Sequence, residues 1–192
     1  MRTQFLRACA AVMAIPFCSI AYAHPGHGIG VMAGMAHPLL GLDHVLAMLA
    51  VGVWAAQLGR RAKWLVPASF VLLMAVAACI GMAGVDLPVV EGGIATSVLL
   101  LGLLIAFSVN VNPSVAAGIV GVFAVFHGHA HGTEMSLQGA PWQFGVGFVV
   151  TTAVLHGLGV ALGGRLHKQA LGLRATGTLV AASGAFLMAA NW

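Results

Sequence analysis

The sequence predicts an all-α membrane protein: a bundle of six transmembrane helices after a cleavable signal peptide. Three observations predict it. Of the 192 residues, 60% are hydrophobic and only 6% charged, where a soluble domain carries about 25% charged residues. The mean hydropathy is +1.02. The apolar residues also gather into runs close to the roughly 20 residues that a helix needs to cross a bilayer. Lipid offers backbone groups no partners, so runs of this kind must be helical.

The elements follow in order. Residues 1–23 read as the signal peptide. Arg2 and Arg7 supply its basic start, "ACAAVMAIPF" its short apolar core, and Ala21–Ala23 ("AYA") a small-x-small cleavage site. Cleavage would remove Cys9 and Cys18 and leave Cys79, so no intrachain disulfide is expected. The mature chain, 24–192, is then a single membrane domain beginning "HPGHG". His24 and His27 there are a candidate metal-capture segment, with a flexible polar end as the alternative. Six spans are expected, at about 37–59, 64–84, 88–108, 113–131, 141–163 and 171–190, with short connections such as "GVDLP".

Charge orients the bundle. Arg60, Arg61 and Lys63 follow the first span, Arg165 and Lys168 follow the fifth, and Arg174 opens the sixth. With both mature termini in the periplasm, all six of these basic residues fall on the cytoplasmic side of a bacterial inner membrane. The formal charge of +4 forms no basic patch, so nucleic acid is not expected as a partner. The 26 glycines suit close helix packing, and a homo-oligomer is compatible with it. Two halves of three spans would run in opposite senses, as in an inverted repeat.

Against this background four polar clusters stand out, because an ionisable group in the bilayer costs about 2.5–3.5 kcal/mol or more unless paired or used. In "HPLLGLDH", His37 and His44 lie two helical turns apart and share a face of a continuous helix, with Asp43 beside His44. Pro38 suits the first turn of such a helix. An interfacial role for His37, and a structural ion pair for Asp43 and His44, are the alternatives. Glu91 lies about one turn into the third span, where it could also snorkel. In "FHGHAHGTE", His127, His131 and Glu134 fall on one face if the helix continues that far, while His129 points away and is a candidate only for a secondary metal path. His-x3-His on a helix is a sound chelating spacing, though an exposed scavenging tract is the alternative. His156, deep in the fifth span, is either hydrogen-bonded to Thr151, Thr152 or a carbonyl, or a second position on a metal path.

The first three clusters fall at the same outer depth. Imidazoles with carboxylates form a borderline donor set suited to Ni²⁺, Co²⁺, Zn²⁺ or Cu²⁺. A membrane site of this kind holds its ion as cargo and must release it, so no resident cofactor is expected.

"HPLLGLDH" followed by "MLAVGVWA", and then "FHGHAHGTE", resembles the HupE/UreJ family, small membrane proteins associated with hydrogenase and urease. The resemblance covers nearly the whole mature chain. It implies nickel uptake by a permease, as facilitated diffusion, with an indirect link to nickel-enzyme maturation proteins. The motifs carry over onto His37, Asp43 and His44, onto His127, His131 and Glu134, and onto Glu91 as an acidic family position. The chain has no nucleotide-binding loop. Two other readings stand beside a non-enzymatic permease. One is an intramembrane Zn²⁺-dependent hydrolase of the ceramidase-like kind, in which the metal would activate water. The other is a metal-binding accessory protein that does not transport.

Overall fold

The structure is a computed structural model that describes residues 30–135 and 140–190. The expected signal peptide, His24 and His27 lie outside these residues. All regular structure among the described residues is helical: α1 (Val31–Leu40), α2 (Leu42–Leu58), α3 (Ala62–Met82), α4 (Val90–Ala106), α5 (Pro113–Met135), α6 (Pro141–Leu166) and α7 (Ala170–Ala190).

By length and composition α3, α5, α6 and α7 can each cross a membrane. Six uninterrupted spans are not what forms. The expected first span, 37–59, is broken: α1 and α2 meet at an angle of 87°. The break is at Gly41, whose backbone is extended (φ −96°, ψ 118°). Glycine gives up the most conformational freedom in a helix, and Pro38 three residues earlier brings no N–H to the helix ladder. Pro38 therefore sits near the end of α1 rather than in the first turn of a long helix. The expected third span is the 17-residue helix α4, about 26 Å long at 1.5 Å per residue. Pro88 and a left-handed Val89 (φ 54°) delay its start, and Ser108 (φ 51°) follows its end. The expected fourth span is longer than its apolar run, because α5 continues to Met135 and keeps Glu134 in the helix.

The outer surface is apolar. Leu72, Val76, Val122, Val154, Leu158, Leu179 and Phe186 are all exposed, far more than a soluble monomer leaves in contiguous patches. Trp64 at the start of α3 and Trp142 at the start of α6 are exposed as well, at opposite ends of the bundle, as interfacial tryptophans are. The protein is a multi-pass helical membrane protein.

Three helix pairs make the most extensive contacts: α3 with α5, α4 with α7, and α2 with α6. Exchanging the two halves of the chain maps the first of these pairs onto the third and the second onto itself, the pattern an inverted repeat would leave. Close approach in the α3–α5 pair depends on two glycines four residues apart. A Cβ on Gly128 would meet the Met74 carbonyl oxygen, and one on Gly132 that of Ala78. The core between the helices holds Trp54, Phe70, Met48, Met74 and Leu101, all essentially inaccessible.

Chain direction then sorts the ends. The six described basic residues lie at the end formed by the α2–α3 and α6–α7 turns. Opposite them lie α1, the start of α2, the α3–α4 connection and the last turns of α5. His129 ties two of these together, donating from Nε2 to the Val85 carbonyl at 2.6 Å.

Candidate metal centre

The bend at Gly41 builds the centre. In a straight helix His37 and His44 would face one way because they are seven residues apart; here they converge from two helices at 87°. Both meet α5. The His37 ring lies 4.9 Å from that of His131, and the His44 ring lies 4.4 Å from His131 and 5.1 Å from His127. α1 is held across α6, where Thr151 Oγ1 donates to the Met35 carbonyl at 2.9 Å.

Each of three imidazoles is held by its Nδ1 edge. His44 Nδ1 donates to Asp43 Oδ1 at 2.7 Å, His131 Nδ1 to Glu134 Oε2 at 3.1 Å, and His127 Nδ1 to the Phe123 carbonyl at 3.0 Å. The Nε2 atoms of all three are buried with no hydrogen-bond partner. A buried unpaired ring nitrogen is costly. Held this way it is a lone pair, and a metal-ligating histidine typically donates its other nitrogen to a carboxylate or a carbonyl. The donor set therefore fits a divalent cation. His37 completes an outer layer through Nε2, 2.9 Å from Glu134 Oε2. Among the described residues, His37, His131 and Glu134 are the group whose ligand atoms all lie within 4.8 Å of one another.

The cluster has an open outer edge and a sealed inner one. The Glu134 side chain is 51% exposed, His37 32%, His44 12% and His131 2%, and His127 is at 0%. His131 joins the two groups: its Nδ1 edge faces the outer carboxylate and its Nε2 edge is sealed inside. Two carboxylates, Asp43 and Glu134, supply charge to offset a dication. Phe148 packs against His131 at 4.1 Å, and Phe144 against His37 at 5.2 Å.

Glu91 is exposed in the first turn of α4, at the same end of the bundle; among the described residues no hydrogen bond or ring contact joins it to the histidines. His129 is buried on the Val85 carbonyl, apart from the cluster. His156 is buried deeper in α6 and makes none of the hydrogen bonds expected to Thr151, Thr152 or a carbonyl. Sequence reasoning missed Gly41, Phe144, Phe148 and Phe70, the last packed on His127 at 5.5 Å. Only Gly41 carried a signal, as a helix-weakening residue inside "HPLLGLDH".

A family model described as HupE / UreJ protein matches residues 11–187. The chain belongs to the HupE/UreJ family. It is 45% identical over 181 residues to "Protein HupE" of Rhizobium leguminosarum bv. viciae, covering 93% of this chain and 94% of that one. No solved structure matches.

For this HupE/UreJ family member, Gly41 makes a local prediction. A Cβ there would fall 2.7 Å from Asp43 Oδ1 and 2.9 Å from His44 Nδ1. The backbone at Gly41 suits alanine, so the fold should survive, but the carboxylate and imidazole must move apart. Gly41→Ala is expected to insert normally and to weaken metal affinity by about 10-fold, the lower end of what disturbing a ligand's supporting partner costs. Isothermal titration of the purified variant with Ni²⁺ checks it.

Proposed function

We propose that this protein is a permease that carries Ni²⁺ across the bacterial inner membrane into the cytoplasm by facilitated diffusion, supplying urease or hydrogenase maturation. The observation that carries the reading is the histidine cluster: imidazoles in contact between a half-exposed carboxylate and a sealed interior, three of them with Nε2 buried and unpaired. A storage or structural site would be closed. A transport site opens outward and binds weakly enough to release.

In this reading the histidine end faces the periplasm and the basic end the cytoplasm, with both mature termini periplasmic and six crossings made from the bent α1–α2 pair and the short α4. Glu134, His37 and the exposed Glu91 receive the hydrated ion, with His24 and His27 as a capture segment. The ion loses water between His37, His131 and Glu134, then passes to His44 and His127. His131 offers Nδ1 outward or Nε2 inward, so the ion crosses the ring as the ring changes tautomer. Membership of the HupE/UreJ family supports nickel as cargo, and Co²⁺, Zn²⁺ and Cu²⁺ are the competitors.

Raw affinity cannot select nickel, since copper binds such ligands more tightly. Purified protein in proteoliposomes is therefore expected to accumulate Ni²⁺ and to be inhibited by Cu²⁺, which enters and leaves slowly. Ni²⁺ accumulation no greater than in protein-free vesicles would sink the reading.

One observation favours the hydrolase. An apolar cleft of about 430 Å³ opens between α3, α5 and α6 and reaches His131, past Met74, Met82, Trp142 and Phe148. Its size and lining suit an acyl chain. The same vesicles loaded with Zn²⁺ and a fluorescent lipid amide separate the two: released fatty acid without metal uptake would replace the permease with an enzyme.

A further inference from the structure

His156 stands outside the cluster, yet it has the same chemical character. It is buried to 2% exposure, and neither ring nitrogen has a hydrogen-bond partner. Thr152, one turn earlier on the same face of α6, is fully buried, and its hydroxyl too has no partner. Hydroxyls in helices commonly bond back to the carbonyl one turn before. Thr176 and Ser183 do so in α7, at 2.9 and 3.0 Å. Thr152 does not, which leaves three orphaned polar atoms on one buried face.

One ring separates this face from the cluster. Phe70 of α3 is fully buried. Its ring lies 5.5 Å from that of His127 and 5.1 Å from that of His156, edge-on to both. On its far side His127 Nε2 is unpaired as well. Along α6, His156 is eight residues beyond Phe148, the ring that touches His131. That is about 12 Å further into the bundle.

We propose that His156 and Thr152 form an inner station for a divalent cation, and that the Phe70 ring is the gate between this station and the outer histidines. The proposal rests on the permease reading and extends it inward. An imidazole nitrogen and a hydroxyl oxygen are two neutral donors, to be completed by water. Helix α6 contributes no Asp or Glu, so an ion here keeps its charge unbalanced and its stay is short. The apolar core holds side chains such as Val66, Val51 and Trp54, which offer no ligand to an ion leaving His127. With Phe70 in place, the outer site can fill while the path beyond it stays shut.

The test separates binding from passage, using purified full-length protein. In His156→Ala, Ni²⁺ titration should give the wild-type affinity for the outer site, because His156 touches none of its ligands. Uptake into proteoliposomes should fall by about tenfold or more, the loss that goes with removing a metal's supporting donor. His156→Gln, which restores a neutral donor, should recover part of the uptake. Phe70→Ala should raise uptake and narrow the difference between Ni²⁺ and Zn²⁺. Wild-type uptake by His156→Ala overturns the station. So does loss of outer-site affinity in both His156 variants, which would make the residue a packing element. If the wild-type protein itself neither binds nor accumulates Ni²⁺, it is the permease reading that fails, and the station falls with it.

Discussion

Cells expressing His131→Ala are expected to accumulate no more nickel than cells lacking the protein, although the variant reaches the membrane in normal amount. His131 is the ring common to the two halves of the centre, 4.9 Å from His37 and 4.4 Å from His44. Losing a residue that merely holds a metal ligand in place costs about 10–100-fold in affinity, so losing a ligand shared by two groups is expected to cost at least about 100-fold. Truncation also leaves Glu134 without one of its two imidazole partners.

The matching control is two residues away. His129→Ala removes a histidine from the same tract, but one whose Nε2 is committed to the Val85 carbonyl. Its loss should cost about 1 kcal/mol of stability for the broken hydrogen bond and leave uptake intact. The pair of variants also settles whether "FHGHAHGTE" works by position or by composition. A scavenging tract would lose a similar, small share of uptake with either histidine, whereas a built site loses everything with one and nothing with the other. Radioactive nickel uptake, normalised to membrane-inserted protein, is the measurement.

Much of the architecture was legible because its causes are local. Apolar runs must become helices in lipid, and the spacing of His127, His131 and Glu134 follows from a helix that persists to Met135. The geometry of "HPLLGLDH" was not. Its residues suggest a shared face only if the helix is straight, and whether a glycine in a membrane helix bends the chain depends on what packs against either side. Here α1 lies across α6, and the Thr151 hydrogen bond to Met35 holds it there. The convergence of His37 with His44 was therefore foreseen for a reason that does not operate. The aromatic rings at the centre left no trace in the sequence at all. Phe70, Phe144 and Phe148 look like any apolar residue of a span, and what distinguishes them is the histidine on the neighbouring helix. Glu91 had the opposite fate: conspicuous in the sequence, it remains exposed at the head of α4, and no hydrogen bond or ring contact among the described residues joins it to the cluster.

Asp43→Ala is the second variant expected to abolish uptake, for a different reason. The carboxylate is no member of the group whose ligand atoms converge. It accepts from His44 twice, from Nδ1 at 2.7 Å and from the backbone N–H at 2.8 Å. Those bonds keep the proton on Nδ1 and leave Nε2 free as a donor to the ion. Both bonds end on Oδ1, and alanine removes them together. The His44 ring can then turn, and a proton on Nε2 would close the inner group. Asp43→Asn keeps an acceptor oxygen but not the charge, so the two variants divide orientation from electrostatics. If Asp43 mainly orients the ring, Asn should retain roughly tenfold more uptake than Ala, within the range by which such supporting partners matter. If the negative charge is what draws the cation inward, Asn and Ala should fail alike, and the affinity lost should shrink as salt screens the field. Nickel accumulation at the wild-type level in Asp43→Ala would remove His44 from the path, because Asp43 is the hydrogen-bond partner that fixes which nitrogen of its ring carries the proton.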